Sequence, residues 1–237
     1  MKAPSVDQEL TVNRLLRRLP AAERHRFEAQ AKTVDLLVGS VLCEAGKKMS
    51  HVYFPHRGVI SLTANGEPGE VMHLGYLGEE GMLGLPVAVG ASLSPMHAVV
   101  QGEGHAAQVD SSGFAALLKR CPRLSHSLFV YSHGLMAQIS QAVVCNTLHP
   151  VSSRFARWLL TASDRLHSPL IEATQEHVAI TLGVLRLSVS HAASEFQAAG
   201  LITYRRGNIR IESRSGLKAR ACACYGITDR IFREALS

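Results

Sequence analysis

Leu185, Arg186, Leu187, Ser190, His191 and Ser194 repeat at helical spacing on the outward face of one segment, and no acid interrupts them before Glu195. Their chemistry suits the edges of base pairs. A guanidinium can meet guanine O6 and N7 bidentately, hydroxyls and imidazole serve several edges, and a leucine side chain matches a thymine methyl. Ser188 lies within the same segment, and Thr174 and Gln175 begin the segment before it. Arg205, Arg206 and Asn208 follow soon after, where cationic and polar groups suit a phosphate backbone.

These side chains need elements that hold them. The stretch 174–200, TQEHVAITLGVLRLSVSHAASEFQAAG, reads as two helices around a tight turn. Thr174 suits an N-cap, Glu176 falls in the first turn, and Gly183 supplies the left-handed residue that ends the first helix. Val178, Ala179 and Leu182 form its inner face, and Val184, Val189, Ala192 and Phe196 form that of the second helix. Ala179 opposite Val189 permits the close crossing of a helix-turn-helix. Residues 201–211, LITYRRGNIRI, then alternate as two strands about a Gly207-Asn208 turn. A helix-turn-helix followed by an arginine-tipped hairpin is a winged helix, and DNA is the expected partner.

The charge is distributed accordingly. The chain has 237 residues and a net charge of +6. Residues 1–147 hold thirteen basic and twelve acidic side chains, residues 148–237 twelve and seven, so nearly all the excess lies with the helix-turn-helix. No run approaches the ~18 apolar residues of a membrane span, and the charged N-terminus lacks a signal sequence, so a cytoplasmic protein is expected.

Other chemistry finds less support. Cys43, Cys121, Cys145, Cys222 and Cys224 are an odd, scattered set, which argues against disulfides. Cys222-x-Cys224 has neither the spacing nor the partner pair of a zinc knuckle, so the cysteines read as small buried residues and no metal is expected. His51, His56, His73, His97 and His105 read as strand or surface residues. A cupin-like metal enzyme would need a close pair such as His-x-His with a carboxylate, and the chain has no His-x-His. No nucleophile elbow, phosphate loop or HExxH is present, so no catalytic residues are assigned. The remaining alternative is a module that binds a partner other than DNA.

Taken in order, residues 7–32 read as helical, with Pro20 at a helix start. From 34 to 109 glycines accumulate between short apolar runs, at 51–54, 58–62, 71–74, 97–100 and 105–109, with a hairpin turn near Asn65-Gly66. That texture suggests an antiparallel jelly-roll barrel. Ser111 or Ser112 is expected to cap a short helix ending near Leu118. Residues 124–148 form a long helix, interrupted only at Gly134, in which Leu128, Tyr131, Leu135, Ile139 and Ala142 follow the spacing of a dimer seam. His149-Pro150 makes a hinge, and 151–166 opens the last domain. The expected fold is α+β: a barrel domain over 1–120, a dimerisation helix and hinge over 121–149, and a winged helix-turn-helix over 150–237.

This order resembles the Crp/Fnr family of bacterial transcription regulators over nearly the whole chain. The resemblance is carried by VYFPHRGVISL at 52–62, GEEGMLGLP at 78–86, and the helix-turn-helix with its wing. It implies a homodimer on palindromic DNA, a barrel that reads a signal, and RNA polymerase as a further partner. Arg186 matches the family's base-contacting arginine, whereas Leu187 stands where glutamate is common and His191 where a second basic residue is common. An effector pocket would involve Gly84, Leu85, Pro86 and Ser94. Members that bind cyclic nucleotides use a glutamate for the ribose and an arginine for the phosphate. Residues 84–98 contain neither, so cyclic AMP is not expected and no cofactor is assigned. The lone Cys43 likewise does not match the family's N-terminal iron–sulfur cluster.

Overall fold

The computed structural model describes residues 12–66 and 71–235. They fall into two compact units, one comprising residues 12–62, 75–136 and 232–235, the other 63–66, 71–74 and 137–231. The division lies within the long helix rather than at its start, and the C-terminal residues from Phe232 return to the first unit.

The first unit begins with a correction. Residues 12–19 form turns and the first helix, α1, spans Ala21–Glu28; the part of the expected helix before residue 12 lies outside the described residues. The reason is buried Asn13. Its Oδ1 accepts from the Leu15 and Leu16 amides at 3.1 and 3.4 Å, and its Nδ2 donates to the Pro55 and Gly81 carbonyls, each at 2.9 Å. Such side-chain bonds compete with helix formation. Leu15, Leu16 and Leu19 are buried from this turn.

The barrel strands are β1 (Lys32–Leu36), β2 (Val41–Cys43), β3 (His51–Asn65), β4 (Val71–Leu77) and β5 (His97–Asp110). The sheet order is β1-β5-β3-β4, with β2 also on β5. β1 runs antiparallel to β5, from Lys32 opposite Gln108 to Leu36 opposite Gly104. The expected breaks within β3 and β5 are absent because glycines let the backbones meet. A Cβ on Gly104 would fall 2.1 Å from the Arg57 carbonyl oxygen, and Gly58 has φ +100°. β3 ends at Asn65, and the rest of the expected turn lies outside the described residues.

After the short α2 (Leu85–Ala88), helix α3 spans Ser111–Leu118. Its cap is Asp110, not a serine: the carboxylate accepts from the Ser112 and Gly113 amides at 2.8 and 3.3 Å. Helix α4 (Pro122–Leu148) starts on a distant cap, since the buried Glu23 carboxylate accepts from the Arg123 and Leu124 amides at 3.2 and 3.0 Å. By length and composition α4 could cross a membrane, yet Leu128 and Tyr131 pack into the barrel core with Phe54, Phe114 and Met82. Gly134 does not interrupt it. A Cβ there would lie 2.5 Å from the Phe232 ring, which stacks on Tyr131 at 5.8 Å.

The proposed seam is therefore out of phase. Leu128, Tyr131, Leu135 and Ala142 are buried within the chain and Ile139 is half-buried. The apolar side chains left outward on α4 include Phe129 and Met136, each 68% exposed, and Val143, 55% exposed, at seven-residue spacing.

The second unit contains α5 (Val151–Leu166), β6 (Leu170–Glu172), α6 (Gln175–Leu182), α7 (Arg186–Ala198), β7 (Ile202–Arg205), β8 (Asn208–Ile211) and α8 (Arg214–Arg220); α9 (Ile227–Ala235) closes the described chain. Phe155 stacks on Trp158 at 6.1 Å and on Phe196 at 5.6 Å, joining α5 to α7. β6 was not foreseen in the sequence. It pairs antiparallel with β8 to give a three-stranded sheet, β6-β8-β7.

Candidate nucleic-acid interface

Local rules build the helix-turn-helix. The Thr174 hydroxyl accepts from the His177 amide at 3.1 Å and caps α6, and Gly183 ends it at φ 61°, ψ 47°. Val178, Ala179 and Leu182 are buried on α6, as are Val189, Ala192 and Phe196 on α7. Val184, expected on the second helix, lies half-buried in the turn, where its amide donates to the Ala179 carbonyl. Arg154 adds a tie no local pattern announces. This buried guanidinium donates to the Leu182 carbonyl at the end of α6, and to Asn146 Oδ1 near the end of α4 at 2.9 Å.

The residues expected to read bases lie along α7 and just before it. Arg186, Leu187, His191 and Ser194 are exposed, Ser188 and Ser190 are half-buried, and Leu185 precedes the helix. Leu185 and Leu187 are 77% and 78% exposed. Glu195, the acid on α7, is paired with Arg220 of α8 at 2.6 Å.

The wing turns one residue earlier than expected. Arg205 pairs with Asn208, so the two-residue turn is Arg206-Gly207, with φ 49° and 81°. Positive φ at both centres is what a type I′ hairpin requires, and it places Arg206 at the tip. The wing is tied back to the helices. The Tyr204 hydroxyl donates to the Ala173 carbonyl at 2.8 Å, the Tyr204 amide to Gln197 Oε1 at 3.0 Å, and the Ala173 amide to the Gly207 carbonyl at 2.7 Å. Thr174, Gln175, Glu176, Arg186, Tyr204 and Arg206 line one open cleft of about 440 Å³, so one carboxylate shares it with the two arginines. Burial pushes the Tyr204 hydroxyl up to about 12, against the nearby Arg186 charge, so it remains a donor at neutral pH. The cleft brings a helix-start arginine, a wing-tip arginine and hydrogen-bonding groups to one polar surface.

The barrel residues named from sequence do not converge. Leu85 lines an apolar cleft of about 450 Å³ with residues of α3 and α4, where Lys119 is the charged group. Gly84 approaches Val52 and gives α2 its left-handed cap at φ 114°, with Pro86 in the first turn after it. Ser94 is buried elsewhere, donating to the Met96 carbonyl at 2.6 Å with Cys43 Sγ 3.3 Å away. His56 and His105, read singly in the sequence as strand or surface residues, face each other at 5.8 Å between ring centres. The reading of Cys222 and Cys224 as a pair without partners is overturned, since Cys145 Sγ lies 3.6 Å from Cys222 Sγ and His149 Nδ1 3.4 Å from Cys224 Sγ.

Two family models match the chain: the cyclic nucleotide-binding domain over residues 33–121 and the Crp-like helix-turn-helix domain over 153–220. No curated protein matches it significantly. Among solved structures, it is similar to a transcriptional regulator assigned to the crp/fnr family from Eubacterium rectale, at TM-score 0.69 and 16% identity over 87% of this chain and 96% of that one. FixK2 from Bradyrhizobium japonicum gives 0.69 and 15%, over 81% and 98%. The c-di-GMP responsive regulator CLP of Xanthomonas campestris gives 0.68 and 16%, over 82% and 100%. At these identities the structures establish the fold. A cyclic nucleotide-binding domain followed by a Crp-like helix-turn-helix, on this fold, makes the chain a member of the Crp/Fnr family of bacterial transcription regulators.

Proposed function

We propose that the protein acts as a homodimer that reads a palindromic DNA site through α7 and anchors on the backbone through its wing. The observation that carries this is exposed Arg186 in the first turn of α7, on the same cleft as Arg206 of the wing tip. From there Arg186 meets a guanine edge in the major groove and Arg206 reaches phosphate or minor groove. The outward Phe129, Met136 and Val143 of α4, whose seven-residue spacing suits a helix pair, support two-fold assembly. Fluorescence anisotropy on specific and random duplexes across salt concentrations tests the proposal. Specific binding that is tight and salt-dependent is expected, and equal affinity for both duplexes would refute sequence reading.

The barrel is proposed to take no cyclic AMP or cyclic GMP. Residues 84–98 offer a cyclic phosphate no arginine and its ribose no acid, and an unpaired buried anion costs several kcal/mol. Titration calorimetry with either nucleotide should show no saturable heat at micromolar concentration. A saturable signal would overturn this part of the proposal.

A further inference from the structure

Four side chains with metal-ligand chemistry converge in the second unit, away from the reading face. Cys145 and His149 stand four residues apart at the end of α4, where the His149 amide still bonds the Cys145 carbonyl at 3.3 Å and keeps both on one helical face. Cys222 and Cys224 follow directly after α8. The three sulfurs and one imidazole nitrogen all lie within 4.8 Å of one another. We infer that Cys145, His149, Cys222 and Cys224 bind one zinc ion.

Distances, donor set and surroundings each support this. A tetrahedral zinc with Zn–S of about 2.3 Å and Zn–N of about 2.0–2.1 Å has ligand–ligand edges of about 3.8 Å between sulfurs and about 3.6 Å from sulfur to nitrogen. Two of the six edges are 3.6 Å for Cys145–Cys222 and 3.4 Å for Cys224–His149, and none exceeds 4.8 Å, so an ion fits with small shifts of the ligands. Three thiolates with one imidazole select zinc over magnesium or calcium, and four protein ligands close the coordination sphere, which makes the site structural. All three cysteines are buried and His149 is half-buried. Gln141 Nε2 donates to Cys224 Sγ at 3.0 Å, the kind of outer contact that orients a ligand. Zn²⁺ with three thiolates leaves one net negative charge. Arg157 acts on both Cys145 and Cys222, and Arg154 feels both, so that charge is offset locally. The ion would join the last turn of α4 to the segment after α8, two stretches far apart in sequence.

The test uses the full-length chain, purified reduced from zinc-replete cells. Elemental analysis should find about one zinc per chain, and exchange with Co²⁺ should give the intense visible bands of a tetrahedral thiolate site. Cys222→Ser with Cys224→Ser should abolish both signals, and His149→Cys should retain them. A parent chain that carries no zinc and gives no cobalt spectrum overturns the inference, as does finding Cys145 and Cys222 joined as a disulfide in it. The parent chain decides the matter even if the serine variant fails to fold.

Discussion

Arg186 and Arg206 line one cleft, and the proposed reading gives them different parts of a duplex. Arg186→Ala should cost about 1–3 kcal/mol per half-site on the cognate sequence and relax preference at one G·C pair. Arg206 needs a different replacement, because its φ of 49° is unfavourable for most residues; asparagine tolerates it. Arg206→Asn should weaken cognate and random DNA alike and lower the salt slope by roughly one per half-site. Anisotropy titrations of both variants against salt would separate the roles, and equal specificity loss from both would contradict the division. A second residue-scale expectation concerns pH. Burial, and then repulsion from His105, pushes the pKa of His56 down to about 4. The unfolded chain takes up that proton near pH 6.5, so it binds more protons than the folded chain between those values. Stability from this group is full above about pH 6.5 and lost as pH falls toward about 4, an effect on the order of 3 kcal/mol. Thermal melts from pH 7 to 4 should show a steeper decline for the parent than for His56→Leu. Parallel curves would contradict the assignment.

At the scale of elements, α4 carries the clearest prediction. Phe129→Asp and Met136→Asp place charge on its outward face, so light scattering should report monomers whose circular dichroism is unchanged. Leu128→Asp puts a charge into the barrel core instead and should lower the melting temperature. A dimer that survives both outward substitutions would contradict the proposed seam. The sequence could not phase this helix, because Leu128, Tyr131, Leu135 and Ala142 and the Phe129, Met136, Val143 set are both apolar at periodic spacing. Spacing reveals that a face is apolar, not which face the rest of the chain covers. Where the determinant is local the reading held: Thr174 caps α6 and Gly183 ends it, both within a few residues of what they control. Asn13 and Asp110 show the limit of that logic, since a buried amide replaced a helix turn and an aspartate took the capping role expected of the serine beside it. β6, Phe232 over Gly134 and the Cys145–Cys222 approach depend on residues far apart in the chain, so nothing near them in sequence announces the partner.

For the whole molecule, the excess of basic over acidic residues beyond residue 148 favours approach to a polyanion. Specificity must come from geometry. If the protein assembles two-fold as proposed, its two α7 helices would enter successive major grooves, with half-sites about 10 base pairs apart. Selection of bound duplexes from a random pool, run in parallel with the parent chain and Arg186→Ala, tests this most directly. The parent should enrich an inverted repeat with that spacing and a G·C pair in each half, and the variant should lose preference at that pair while keeping the repeat. No enriched sequence from the parent, or the same G·C preference from Arg186→Ala, would contradict the account.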